Sequence, residues 1–240
     1  YLWDTLFSRR MHRSLWLRYL LAFLLLSGPA MVLQSQTPFI SFGKLTTEQG
    51  LSQDHVNSIA QDHEGFIWFG TNDGLTRFDG RQCVVFRHQP KDTASLPDNR
   101  ISGLTVDAHG RLWISTFQGL CYYHPKARRF QRVRTGLRQD GPDAYVSNLA
   151  FDRSGTAWAI ADTLLMRLDG QTFQPQFFKI PCQTKAESQV FVDSKGRVWI
   201  TFLGRHLLRF DGQEVVYVRG LDKPHGDPRP WPMWIQEDST

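Results

Sequence analysis

Four aspartates stand in the same company. Asp62, Asp107, Asp152 and Asp193 are each followed three residues later by a glycine (Gly65, Gly110, Gly155, Gly196) and six later by a tryptophan (Trp68, Trp113, Trp158, Trp199). Read as chemistry, the carboxylates could ligate calcium and the indoles could stack on sugar rings. The spacing argues against both. A calcium loop clusters its acids as D-x-D-x-D-G, whereas here one acid recurs at intervals of 45, 45 and 41 residues. D-x-x-G instead places Asp where its carboxylate bonds the backbone two residues on, and Gly at the last position of a type I turn. A tryptophan in one fixed slot of every unit is a packing position before it is a platform. The histidines fare no better as ligands. His55, His63, His88, His109, His124, His206 and His225 show no H-x-x-x-H or similar metal spacing. His63 sits inside the tight turn, which excludes it as a phosphoacceptor. No catalytic residue, no metal and no cofactor are expected in this chain.

What must position these residues is a repeated unit of about 45 residues. After the first turn, "FIWFGT" (Phe66 to Thr71) alternates apolar side chains on both faces, "NDG" (Asn72 to Gly74) signals a hairpin, and "LTRFDG" and "QCVVFRH" supply two more strands. With "VNSIAQ" (Val56 to Gln61) ahead of the turn, each unit reads as four strands. Four-stranded units of this length, apolar on both faces, predict an all-β fold, a β-propeller of blades packed face to face. The repeats centre near 56–88, 101–133, 146–178 and 187–219, and a fifth begins at 233–240, so the chain holds four complete repeats of a larger propeller. The turns vary: His124-Pro125 replaces Asp79-Gly80, Leu164 stands in the slot of Gly74, and the fourth unit carries one extra residue before Arg209. Phe78, Tyr123, Leu168 and Phe210 share one slot, which marks it as packing.

Residues 1–36 stand apart. From Met11 a basic start, an apolar stretch at Tyr19–Leu26, a Gly28-Pro29 break and small residues near Ser35 make a secretory signal. Residues 1–10 read as an overrun upstream of Met11, and the propeller domain as 37–240. The formal charge of +5 contains +3 from residues 1–35, leaving no polybasic stripe for nucleic acid. Three cysteines, Cys83, Cys121 and Cys182, are too few for a disulfide framework, and single buried thiols are the expected state.

"FGKLTTEQGLSQDHVNSIAQDHEGFIWFGTNDGLTRFDG" (Phe42 to Gly80), followed by "HQPKDTASLPDNRI" (His88 to Ile101), closely resembles the opening of two-component regulator propeller sensors. That resemblance implies the periplasmic sensor of a hybrid histidine kinase, or less often of a diguanylate cyclase, with further blades, a connector, an inner-membrane helix and the output domain downstream. It implies an exported, periplasmic segment of a membrane-spanning, homodimeric receptor, and carbohydrate or oligosaccharide as the small-molecule ligand. The enzyme alternative is a propeller of the streptogramin lyase type, whose blades also resemble D-x-x-G-x-x-W with a later R-x-D, as at Arg77 to Asp79.

Repeated positions being consumed by packing, ligand recognition is expected in loops that vary between units at one end of the propeller. Asn72, Asp73, Phe117 and Gln118, in such a varying hairpin, are the candidate ligand-binding residues. The basic, apolar and small-residue order of the leader yields the first prediction. Amino-terminal sequencing of exported protein should find residues 11–36 removed, whereas a retained Met11 would make the leader a membrane anchor.

Overall fold

The computed structural model describes residues 43–181, 188–202 and 206–218. The leader, Cys182 and the start of the fifth repeat lie outside the described residues. Residues 44–240 group as one unit and 1–43 as another, of which only Gly43 is described.

Among the described residues a single 3-10 turn, Thr47–Gln49, precedes sixteen strands in four sheets of four. The first blade is β1 (Val56–Gln61), β2 (Ile67–Thr71), β3 (Gly74–Phe78) and β4 (Cys83–Phe86). The second is β5 (Ile101–Val106), β6 (Leu112–Thr116), β7 (Gly119–His124) and β8 (Arg129–Val133). The third is β9 (Ala150–Phe151), β10 (Ala157–Ala161), β11 (Leu164–Leu168) and β12 (Pro175–Lys179), and the fourth is β13 (Ser188–Val192), β14 (Val198–Phe202), β15 (His206–Phe210) and β16 (Val215–Tyr217). Within each sheet the strands lie antiparallel in chain order, the β-propeller blade pattern.

Period-2 alternation gives every blade two apolar sides, and successive blades use opposite sides against each other. Trp68 and Leu75 of the first blade pack on Leu104, Leu112, Ile114 and Tyr123 of the second. Trp113, Leu120 and Tyr122 of the second pack on Leu149, Ala157, Met166 and Leu168 of the third. Trp158, Ile160 and Leu165 of the third pack on Val198, Ile200 and Leu208 of the fourth. Ile59 occupies the slot of Leu104 and Leu149, yet it is 62% exposed where they are 5% and 3%, because no described blade covers that side of the first sheet. Gly70 allows the first two blades to approach closely: a Cβ there would lie 2.6 Å from Ile101 Cγ2.

The D-x-x-G-x-x-W motif is a closed hydrogen-bonded device. Asp62 Oδ1 accepts the amides of Glu64 and Phe66, both at 3.0 Å, while its Oδ2 accepts the Trp68 indole N–H at 2.7 Å. The indole bond recurs from Trp113 to Asp107 at 2.8 Å, from Trp158 to Asp152 at 3.3 Å and from Trp199 to Asp193 at 2.9 Å. The turn glycines have φ of 88°, 80°, 82° and 77° at Gly65, Gly110, Gly155 and Gly196, the left-handed region that a side chain disfavours.

The irregular units solve the same problems with other groups. Asp79, Asp169 and Asp211 cap the third-to-fourth strand turns by accepting two amides each. In the second blade His124 replaces them, and its Nδ1 accepts the Ala127 amide at 3.2 Å. In the third blade, where Leu164 has displaced the hairpin glycine, the positive φ moves to Asp162 at 50°. The extra residue of the fourth blade falls before Arg209, which still pairs with Trp199 as Arg77 pairs with Trp68.

Two predictions follow from the turn device. Trp113→Ala removes a side chain that is 1% exposed and leaves the Asp107 carboxylate one donor short, so chemical denaturation should show a loss of about 3 to 5 kcal/mol. An unchanged midpoint would show that the slot is not core. Burial alone would raise the Asp193 carboxyl, but the Trp199 indole, the Arg197 amide and the Arg197 guanidinium outweigh it and bring it down to about 2. A folded-state value below the unfolded one stabilises the fold above the ordinary carboxylate range and is lost as pH falls toward 2. Asp193→Asn should therefore flatten the acid limb of the stability curve between about pH 4 and pH 2.

Candidate ligand-binding end

Antiparallel order sends the two kinds of connection to opposite ends of each blade. The D-x-x-G turns and the capped turns beginning at Asp79, His124, Asp169 and Asp211 share one end. The hairpins at 72–73, 117–118 and 162–163 share the other with the two long connections between blades, 87–100 and 134–149.

Both oxygens of each motif aspartate are engaged, and the His63 ring lies over Gly110, where an added Cβ would sit 2.7 Å from Cδ2. No group of three His, Cys, Asp or Glu among the described residues is arranged to hold a metal ion. Cys121 is buried and burial pushes its thiol up; Cys83 is half-buried and pushed up for the same reason, with Asp79 adding to it. Both are free thiols.

The hairpin end holds the four residues singled out by variability, in two separate settings. Asn72 Oδ1 accepts from Asn57 Nδ2 at 2.8 Å, and its amide donates to Gln53 Oε1 at 3.2 Å. Asp73 is paired with Arg87 at 2.8 Å, and Arg87 Nε also donates to the Asp73 carbonyl at 3.1 Å. Phe117 is 42% exposed, with the Arg100 guanidinium 4.8 Å from its ring centroid and the Tyr145 ring packed edge-on at 5.1 Å. Arg100 is fixed in turn by Asp98 at 2.7 Å. Burial would raise the Asp98 carboxyl, but hydrogen bonds from Arg100 and the Gln118 side chain hold it below its ordinary value.

Two cavities open here. One of about 470 Å³ lies where the innermost strands converge, lined by Asn57, Ser58, Ser102, Asn148 and Gln189 among others. Most of its polar groups are spent on joining blades. Asn57 Nδ2 donates to the Ile101 carbonyl at 3.0 Å, Ser102 Oγ to Val146 at 2.6 Å, Leu104 N to Ser58 Oγ at 3.0 Å, and Thr105 Oγ1 to Asn148 Oδ1 at 2.7 Å. The other, about 260 Å³, lies beside the second hairpin and is lined by His88, Gln118, Arg132, Arg134 and Asp143 together with Pro97 and Pro142.

Phe117 thus meets Arg100 and Tyr145 of the blade connections, Asp73 meets Arg87 at the start of the first connection, and Asn72 is engaged by Asn57 and Gln53. Among the described residues no hydrogen bond, ion pair or ring contact joins Phe117 and Gln118 to Asn72 and Asp73. Variability did not reveal Arg100, Tyr145 or Arg134, because the connections differ in length and their side chains keep no fixed offset from the repeat.

The sequence pattern of the two component regulator propeller matches residues 50–73 and 95–118, each spanning the segment into a blade and its first hairpin. Those two segments are similar to two-component regulator propeller repeats. A curated relative carries similar sequence: Histidine kinase P4 of Formosa agariphila is 40% identical over 73 residues, which is 30% of this chain and 5% of that protein. Among solved structures, the extracellular domain of a B. thetaiotaomicron protein assigned as a hybrid two component system superposes with a TM-score of 0.64 at 22% identity, covering 73% of this chain and 26% of that one. A catalytically inactive virginiamycin B lyase of Staphylococcus aureus superposes with a TM-score of 0.53 at 13% identity, covering 68% of this chain and 55% of that one. At these identities the two structures share the fold. The matched stretch spans about 5% of the length of the curated relative.

One consequence is measurable at the hairpin tip of the second repeat. Phe117→Ala should move the melting midpoint by an amount equivalent to about 1 kcal/mol or less, since the ring is half in solvent, while weakening ligand binding. A large fall in midpoint with unchanged affinity would make Phe117 a packing residue.

Proposed function

We propose that this propeller is the extracytoplasmic ligand-sensing part of a two-component signal-transduction receptor whose output is a histidine kinase. The observation that carries the reading is the 73-residue stretch shared at 40% identity with a histidine kinase, in a chain that also matches the two component regulator propeller pattern twice. Likeness to the extracellular domain of a hybrid two component system supports an exported location. The physical arrangement supports binding in place of chemistry. Motif aspartates and tryptophans are consumed in turns and blade contacts, while the residues that differ between blades gather at the hairpin end beside a cavity. A sensor needs no reacting group; it needs only different affinity for its ligand in two signalling states. The partners in this reading are a small-molecule ligand, an oligosaccharide by family resemblance, and a second receptor chain in an inner-membrane homodimer.

The test is to express the whole gene product, titrate a panel of neutral and acidic oligosaccharides by calorimetry, and recover the ligand for mass spectrometry. Saturable heat with intact ligand is the expected result. Cleaved or eliminated product, lost on substitution of one histidine, would replace the sensor with a propeller lyase.

A further inference from the structure

Strand register makes Arg87 and Arg134 equivalent. Leu75 pairs with Phe86 in the first blade and Leu120 with Val133 in the second, so each arginine follows the residue that faces the start of its hairpin strand. In the first blade the hairpin supplies Asp73, and Arg87 grips it through Nη2 at 2.8 Å and through Nε to its carbonyl at 3.1 Å. In the second blade the residue in the Asp73 slot is Gln118. Arg134 then has no hydrogen bond or ion pair among the described residues, and it lines the 260 Å³ cavity that opens where the carboxylate of the first blade would lie.

The neighbours leave that place to a ligand. Gln118 is an uncharged amide and offers the guanidinium no carboxylate. Arg132 spends its guanidinium on the carbonyls of Asp92, Ser95 and Leu96 at 3.1, 3.2 and 3.0 Å. His88 Nδ1 lies 2.7 Å from the Leu96 carbonyl. The other carboxylate on the wall, Asp143, is held by the Thr135 amide and the Ala144 amide, both at 2.8 Å, and by the Thr135 hydroxyl. Two arginines and a histidine thus face a single carboxylate whose oxygens already have donors.

We infer that this cavity binds a carboxylate group of the ligand, with Arg134 as the binding guanidinium, in the manner that Arg87 binds Asp73. A guanidinium matches a carboxylate with two parallel donors, which gives orientation as well as attraction. The inference rests on the hairpin end being the ligand end, and it narrows the ligand to an acidic one.

The experiment follows the Arg134 Nε–H resonance of the full chain, assigned with Arg134→Gln, during titration with acetate, with the neutral isostere acetamide and with chloride at matched ionic strength. Acetate should shift the resonance saturably and the other two should not. Gln118→Asp rebuilds the pair of the first blade within the chain, so it should weaken the acetate response at least tenfold while folding normally, and Arg134→Lys should weaken it less than Arg134→Gln removes it. Equal responses to acetate and chloride, or an undiminished acetate response in Gln118→Asp, would overturn the assignment. Signalling-ligand heat that survives in Arg134→Gln would sink the carboxylate site alone and leave the sensor reading standing.

Discussion

In every blade one aspartate carboxylate holds two pieces of chain at once. One oxygen closes the turn on two backbone amides, and the other takes the indole N–H of the tryptophan six residues on. Buried hydrogen bonds to a charged group are worth about 1.5–3 kcal/mol, and this one also fixes the side-chain angle of the largest residue in the blade. The tryptophan then faces the next sheet at a set height, where Leu112 and Ile114, or their counterparts, meet it. Blade spacing, strand register and the direction of the free hairpins all follow from that one link. Arg111 and Arg197 reinforce it where they occur, each placing Nε on the same carboxylate oxygen, at 2.6 and 2.5 Å.

The propeller fold was legible because its determinants are periodic. Four blades, their four strands and their hairpins appear as repeats of turn signals and alternating side chains, and slots such as Phe78, Tyr123, Leu168 and Phe210 survive even where turns change. The bond between Asp and Trp was present in the sequence only as a constant offset of six, since nothing local says that a strand side chain will fold back on its own turn. Substitutions within the repeat were legible as irregularities, but not their remedies: His124 accepting an amide in place of a carboxylate, or Asp162 taking the left-handed conformation in place of glycine.

The candidate site is the opposite case. Its residues come from connections of unequal length, so no period announces them, and two of the four residues chosen for variability turn out to have their polar groups already engaged. Asn72 is bonded to Asn57 and Gln53, and Asp73 to Arg87. Divergence between blades is therefore informative only together with what each side chain touches. Comparing equivalent positions in space shows more: the acid present in one blade and missing in the next leaves a cation without its partner, something that spacing alone does not display. Repetition thus sets a baseline against which a departure acquires chemical meaning.

Under the proposed function, some positions of the chain hold blades together and others would meet a ligand. The most direct test is a substitution scan of the full receptor scored in parallel for cell-surface abundance and for ligand-dependent phosphorylation. Changes at Asp107 and Trp113 should lower abundance and signalling together, whereas changes at Phe117 and Arg134 should lower signalling at normal abundance. Signalling lost at normal abundance on changing the motif tryptophans, with the hairpin-end residues tolerant to change, would contradict it.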